Sequence, residues 1–308
     1  MDDLKNLIKT YLKYCEVVKE LNPKTLKAYR IDLQQFQNFM DLKPDITDKI
    51  LVNDYISSIH PKYQSKTTKR KIASMKAFYH YLECEEYIQL NPFDKINVKF
   101  REPIRLPRVI PIHIIESFIS TMYKQRTLAK TDCQQLYVLR DIAVIELLFA
   151  TGLRISELCT LTTAQVDLVT NILLIHGKGS KDRMIQIGNP DVHNILLEYR
   201  DAFNAEIQSA GWFFINRFHN RFSEQSVRNM INKYVDLTAI ELHITPHMFR
   251  HSFATSLLDA DVDIRYIQKM LGHSSITTTE IYTHVSMAKQ SNILTTKHPR
   301  NSMHIDIS

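Results

Sequence analysis

Val138-Leu-Arg-Asp-Ile-Ala-Val-Ile-Glu-Leu-Leu-Phe-Ala-Thr-Gly-Leu-Arg-Ile-Ser-Glu-Leu158 is the stretch from which the rest of the chain is best read. Val138 to Ala150 is strongly apolar, and its length suits a buried helix better than a strand. Thr151-Gly152 ends it, with glycine at the left-handed position that closes many helices. Ile155 to Leu161 restarts a short helix, so Arg154 stands at the break and its guanidinium can project from a bent backbone. The rest of the chain repeats this grammar of helix, polar stop and helix. It has only six glycines (Gly152, Gly177, Gly179, Gly188, Gly211 and Gly272), and none precedes Gly152. A glycine-free run of that length favours helices joined by polar turns over hairpins.

Upstream, Leu4, Leu7, Ile8, Tyr11, Leu12 and Cys15 share one face of a helix over 4–19. Asn22-Pro23 is a helix start, with asparagine as N-cap and proline first in the helix. Leu26, Tyr29, Leu33, Phe36 and Met40 form the stripe that follows. Amphipathic segments over 47–59 and 65–87 complete a helical N-terminal domain, residues 1–99. Residues 100–111 carry three prolines and three arginines, resist regular structure and form a linker. Residues 112–308 make the second domain, with a tail over about 287–308. The expected fold class is mainly α (α+β): a helical N-terminal domain, then a mixed helical domain with a small antiparallel sheet.

Composition narrows the function. The chain has 308 residues, 44% apolar and 23% charged, an ordinary globular balance. No apolar run approaches the roughly 20 residues of a membrane span, and Met1-Asp-Asp-Leu4 lacks a signal core. The four scattered cysteines fit a reducing cytoplasm. The net charge of +6 is concentrated in residues 1–105, which carry +5. There Lys62, Lys66, Lys69, Arg70 and Lys71 crowd a helix entry. Cations at a helix N-terminus oppose its dipole, so phosphate neutralisation is one reading and a solvated basic face the other.

In the second domain, Asn171 to His176 and Arg183 to Ile187 are strand-like. Gly177-Lys-Gly-Ser-Lys-Asp182 turns between them and carries Lys178 at a hairpin tip. Thr245-Pro246 starts a helix that places His247, Arg250 and His251 on one face. His273 follows a stop at Gly272, and Tyr282 follows a segment beginning at Ile276. A metal site is not expected. His247 and His251 have zinc-compatible spacing, but Met248 takes the place of the H-E-x-x-H glutamate and Arg250 would repel a dication. Singly, Arg154 reads equally as a surface arginine and Lys178 as a solubilising lysine. Together, two arginines, a lysine, two histidines and a tyrosine suit an anionic substrate. Arginine forks clamp phosphate oxygens, lysine or histidine moves a proton, and tyrosine can form a covalent intermediate.

Four blocks carry a resemblance. They are Ala150-Thr-Gly-Leu-Arg-Ile-Ser-Glu-Leu158, His176-Gly-Lys-Gly-Ser-Lys-Asp-Arg183, Thr245-Pro-His-Met-Phe-Arg-His-Ser-Phe-Ala-Thr255 and Leu271-Gly-His-Ser-Ser-Ile-Thr-Thr-Thr-Glu-Ile-Tyr-Thr-His284. In this order and spacing the chain resembles the tyrosine recombinases, the phage-integrase family, and within it the Xer-like bacterial branch. The resemblance implies a core-binding N-terminal domain and a catalytic domain. It also implies roles, position by position. Arg154 and Arg250 would hold the scissile phosphate, and Lys178 would protonate the leaving 5′-oxygen. His247 would assist at the nucleophile Tyr282, His273 would bond the phosphate, and Glu157 would orient the cations. Phe249 stands where the family often has leucine, Ser274-Ser275 replaces a more usual polar pair, and no catalytic group is missing.

The implied activity is site-specific recombination of double-stranded DNA through a 3′-phosphotyrosyl link and a Holliday junction, serving integration, excision or dimer resolution. A homotetramer on two DNA sites is expected, in the cytoplasm, without membrane, metal or other cofactor, and with an accessory or activator protein possible. The alternatives are relaxation of DNA by a type IB topoisomerase and a catalytically silent DNA-binding protein. No obvious arm-binding domain stands before Leu4, and simple-site recombination is therefore the expectation.

Overall fold

The computed structural model describes residues 4–41, 45–96, 108–177 and 182–272. The chain divides into two compact units, Met1–Ile104 and Arg105–Ser308.

The first unit packs four helices: α1 (Leu4–Val17), α2 (Pro23–Met40), α3 (Lys49–Ile59) and α4 (Ser65–Cys84). Asn22 caps α2 as expected, accepting from the Lys24 amide at 2.9 Å. Asp48 does the same for α3 through the Ile50 amide, 2.7 Å. The core is aromatic, with Tyr11, Phe36, Phe78 and Tyr79 fully buried beside Leu33, Met75 and Leu82. α4 stops at Cys84, short of the expected Tyr87, because Glu86 turns left-handed at φ 58°.

One polar cluster lies inside this unit. Asp32 of α2 is 1% exposed and accepts from Lys71 Nζ at 2.9 Å, Ser74 Oγ at 3.3 Å and Arg70 Nη1. Lys71 also donates to Gln35 and sits 4.7 Å from the centroid of the Tyr63 ring. This corrects the expectation for Lys71. It lies inward on α4 and is 2% exposed, so it ties α4 to α2 rather than offering a charge to solvent.

The second unit is built around α6 (Asp132–Thr151). Leu139, Ile142, Val144, Ile145, Leu147 and Leu148 are all buried, so this helix is apolar on nearly every side, as a central helix is. α5 (Ile112–Thr127), α8 (Pro190–Ala202) and α11 (Pro246–Asp259) pack against it. α7 (Ile155–Cys159), α9 (Asn204–Ala210), α10 (Glu224–Thr238) and α12 (Ile264–Leu271) complete the α-helices of its described residues, alongside a three-stranded sheet. Its strands β1 (Val166–Asp167), β2 (Ile172–Ile175) and β3 (Arg183–Gln186) are antiparallel in chain order. Leu173 pairs with Ile185 and Ile175 with Arg183, so the inward side chains of β2 and β3 join the core of α6. The expected mainly helical fold with a small antiparallel sheet is the one observed. No helix of the described residues is long and apolar enough to cross a membrane.

Candidate functional site

The site begins at the end of α6. Gly152 has φ 61°, and a Cβ there would meet Phe253 Cδ1 at 2.4 Å. Both the left-handed backbone and the contact with α11 therefore require glycine. The bend makes Arg154 the N-cap residue of α7, with its side chain 36% exposed. Glu157, on the first turn of α7, reaches back to it twice. Oε2 accepts from the Arg154 amide at 2.8 Å, and Oε1 accepts from Arg154 Nη1 at 2.9 Å.

α11 brings in the second arginine. Thr245 is at its N-cap position and Pro246 is first in the helix, as expected, although the Thr245 side chain makes no capping bond. Arg250 is 4% exposed. It donates to the Gly152 carbonyl through Nη1 and to the Leu271 carbonyl through Nη2, each at 2.7 Å. Arg154 reaches the same Leu271 oxygen at 3.4 Å and the Gly272 oxygen at 3.4 Å. Two guanidinium groups, 96 positions apart in the chain, thus meet at the carboxyl end of α12. Unpaired carbonyls and the negative end of a helix dipole favour cations there.

His247 lies on the outer side of the first turn of α11. Partial desolvation lowers its pKa, and the nearby charges of Arg250, Arg228 and Arg154 lower it further. The shift favours the neutral imidazole, the form able to accept a proton. His251, one turn on, is lowered to about 4 by burial, His247 and Arg250.

A residue without an assigned role in the sequence reading completes the cluster. Arg183, at the start of β3, presents both Nη atoms to Glu157, at 3.0 and 2.8 Å, and its Nε donates to the Met270 carbonyl at 2.8 Å. Burial raises the Glu157 carboxyl, but the Arg183 fork, the Arg154 amide and the two positive charges outweigh it and hold the pKa below its ordinary value. Strand periodicity alone placed Arg183 in a hairpin. Its contacts come from α7 and α12, far away in sequence, so no local signal could report them. Arg228, on α10, bonds Glu224 one turn earlier at 3.2 Å, and its charge helps to lower the His247 pKa.

Of the anticipated catalytic residues, Arg154, His247 and Arg250 are brought together here, with Glu157 among them. Lys178, His273 and Tyr282 lie outside the described residues. In the first unit Lys62, Lys66 and Arg70 are exposed and Lys69 is half-buried, whereas Lys71 is buried.

Comparison with known proteins gives matches along the chain. The phage integrase, N-terminal SAM-like domain matches residues 8–86, and the phage integrase family matches residues 122–289. A tyrosine recombinase of Agathobacter rectalis is 55% identical over 305 residues, 99% of this chain and 100% of that protein. Tyrosine recombinase XerC of Bacillus subtilis is 30% identical and covers 97% of this chain and 98% of its own. Among solved structures, XerH site-specific recombinase bound to palindromic difH substrate, a post-cleavage complex, superimposes with a TM-score of 0.74 at 19% identity. That match covers 92% of this chain and 83% of XerH. XerA recombinase gives a TM-score of 0.54 at 25% identity, covering 96% of this chain and 99% of its own.

Proposed function

This chain belongs to the phage integrase family and is a tyrosine-type site-specific DNA recombinase, and we propose that the cluster at the carboxyl end of α12 is where it holds the scissile phosphate. The observation that carries this reading is the convergence of Arg154 and Arg250 on one carbonyl, Leu271 O, with His247 near enough for their charges to lower its pKa. A phosphate there would meet two forks from different helices, one buried and one partly open.

In the proposed reaction the Tyr282 hydroxyl attacks phosphorus and gives its proton towards His247. The phosphorus–5′-oxygen bond breaks, and Lys178 supplies a proton to the departing oxygen. A 3′-phosphotyrosyl bond keeps the energy of the phosphodiester, so a 5′-hydroxyl from a partner strand can reverse the step and exchange strands. Charge on the non-bridging oxygens grows in the transition state, where Arg154, Arg250 and His273 bond it. Prearranged donors of this kind are worth roughly 2.7–4 kcal/mol each, about 10²–10³ in rate.

The first unit would hold the duplex. Lys62, Lys66, Lys69 and Arg70 present charge near the start of α4 and would contact phosphates. XerH is bound to difH DNA, and a lambda integrase tetramer is bound to a Holliday junction. On our proposal this chain acts on double-stranded DNA in the cytoplasm, as a tetramer on two sites. The tail over 287–308 would reach a neighbouring protomer.

The test is covalent trapping in cells. Tagged wild type and Tyr282→Phe are expressed, denatured rapidly, and the attached DNA is sequenced. Adducts at one or a few loci, lost in Tyr282→Phe, are expected and would reveal the recombination site. Equal adducts from both proteins would exclude Tyr282 as the nucleophile.

A further inference from the structure

Glu157 is the only carboxylate bonded to two of the guanidinium groups at this site among the described residues, and the charge count has a consequence. One buried negative charge, 8% exposed at the side chain, lies between Arg154 and Arg183. Arg183, 10% exposed, takes both carboxylate oxygens in the bidentate form, the strongest geometry for such a pair. Arg154, on the outer side, shares only Oε1 through its side chain. Its other acceptors, Leu271 O and Gly272 O, are both 3.4 Å away.

From this layering we infer that Arg183 is a positioning residue for Arg154. Its bidentate hold on Glu157 fixes the carboxylate in one orientation and neutralises it from the inner side. Arg154 is then aimed outward with its positive charge largely unspent. The same guanidinium pins the end of α12 through Met270 O, where Arg154 and Arg250 converge. Gly272 fits this arrangement, since a Cβ there would approach Arg183 Nη1 to 2.9 Å. Without Arg183, Glu157 would have Arg154 as its nearest guanidinium. The carboxylate would turn towards Arg154 and withdraw it from a phosphate. Displacement of a substrate-holding group by about 1 Å can cost on the order of 10²-fold in rate.

This inference rests on the proposed role of Arg154 at the phosphate, and the experiment separates the two. The first readout needs no DNA: crystal structures of the full-length wild type and of Arg183→Gln and Arg183→Lys. In Arg183→Gln the Arg154 guanidinium should shift by about 1 Å towards Glu157 while the Gly152 bend stays in place. Arg183→Lys should give a smaller shift, because the charge is kept and the fork is lost. An Arg154 that superimposes on wild type in both variants overturns the inference.

The second readout is adduct yield in the trapping assay, where Arg183→Gln should fall about 10²-fold with unchanged protein level. In an Arg154→Ala background the further loss should be small, as for groups that act as one unit. Full additivity would overturn the inference in favour of a general effect on the fold. Wild-type yield from Arg154→Ala would instead remove the role assigned to Arg154, while the crystal structures still decide whether Arg183 positions it. Should Arg183→Gln fail to fold, Glu157→Gln with Arg183→Gln removes the orphaned carboxylate. That pair leaves no carboxylate to withdraw Arg154 and should keep most of its cleavage, and a fall of about 10²-fold in the folded pair would overturn the inference.

Discussion

Arg154 and Arg250 reach the Leu271 carbonyl from different environments, one 36% exposed at the side chain and the other buried, and this difference sets what each can do. Arg250 is fastened to two backbone oxygens and also braces the bend at Gly152. Arg154 is held mainly by Glu157 and is the one placed to respond to a ligand. Arg154→Lys keeps a charge but loses the fork. Cleavage should fall by about 10²–10³, read as adduct yield or as single-turnover cleavage of the trapped locus, and near wild-type cleavage would refute a phosphate-clamping role. The histidines carry a separate, acid-sensitive consequence. His251 is lowered from an ordinary 6.5 to about 4 in the folded chain, so between those values the unfolded chain binds the proton that the folded one refuses. Its contribution to stability is complete above pH 6.5, declines as pH falls towards 4, and does not decline further below that. His251→Gln should flatten the profile of unfolding free energy in that window, and an unchanged slope would show that other groups set it.

At the level of elements, the geometry depends on where helices stop. α6 ends at Gly152, α12 ends at Gly272, and both have φ above 60°. Glycine tolerates that backbone, whereas an L side chain costs roughly 1–2 kcal/mol. At Gly152 a methyl group would also push into Phe253 of α11. Gly152→Ala should therefore destabilise the second unit by about 2–4 kcal/mol, combining backbone strain with overpacking. Denaturant unfolding would measure it, and a loss below 1 kcal/mol would mean that Phe253 moves aside easily. The same variant should lower cleavage, because the Gly152 carbonyl is an acceptor for Arg250.

Across the whole molecule, cationic residues divide into those that face solvent and those consumed by the fold. Lys62 and Lys71 belong to one basic run, yet one is exposed and the other is bonded to buried Asp32. Lys62→Gln should leave stability within about 0.5 kcal/mol. Binding of its DNA site should become less steep in salt by about 0.9 in the log–log slope, one phosphate contact. Lys71→Gln should do the reverse. It should leave the salt slope unchanged and destabilise the first unit by about 1.5–3 kcal/mol, because Asp32 keeps Arg70 and Ser74 but loses its buried cation. Fluorescence binding titrations at several salt concentrations, alongside unfolding curves, distinguish the two. A lower slope for Lys71→Gln would mean that Lys71 reaches DNA after all.

Much of the architecture was legible in one dimension. Apolar periodicity placed α1 to α4, and the Asn22-Pro23 and Thr245-Pro246 starts and the Gly152 and Gly272 stops fell where expected, because capping and left-handed turns are local properties. Motif order identified the family and singled out Arg154, His247 and Arg250, since a reaction dictates residue types. Other features depended on chain segments that meet only after folding. α5, α8 and α10 were not anticipated, although Asn189-Pro190 and Ser223 mark two of their starts. Lys71 looked like its neighbours until α2 brought Asp32 beside it. Arg183 was one residue of a strand until α7 and α12 supplied Glu157 and Met270. Helix, turn and residue chemistry follow from neighbours along the chain. Which charges remain available to a ligand depends on neighbours in space, because burial and pairing decide it, and only the tertiary structure supplies those.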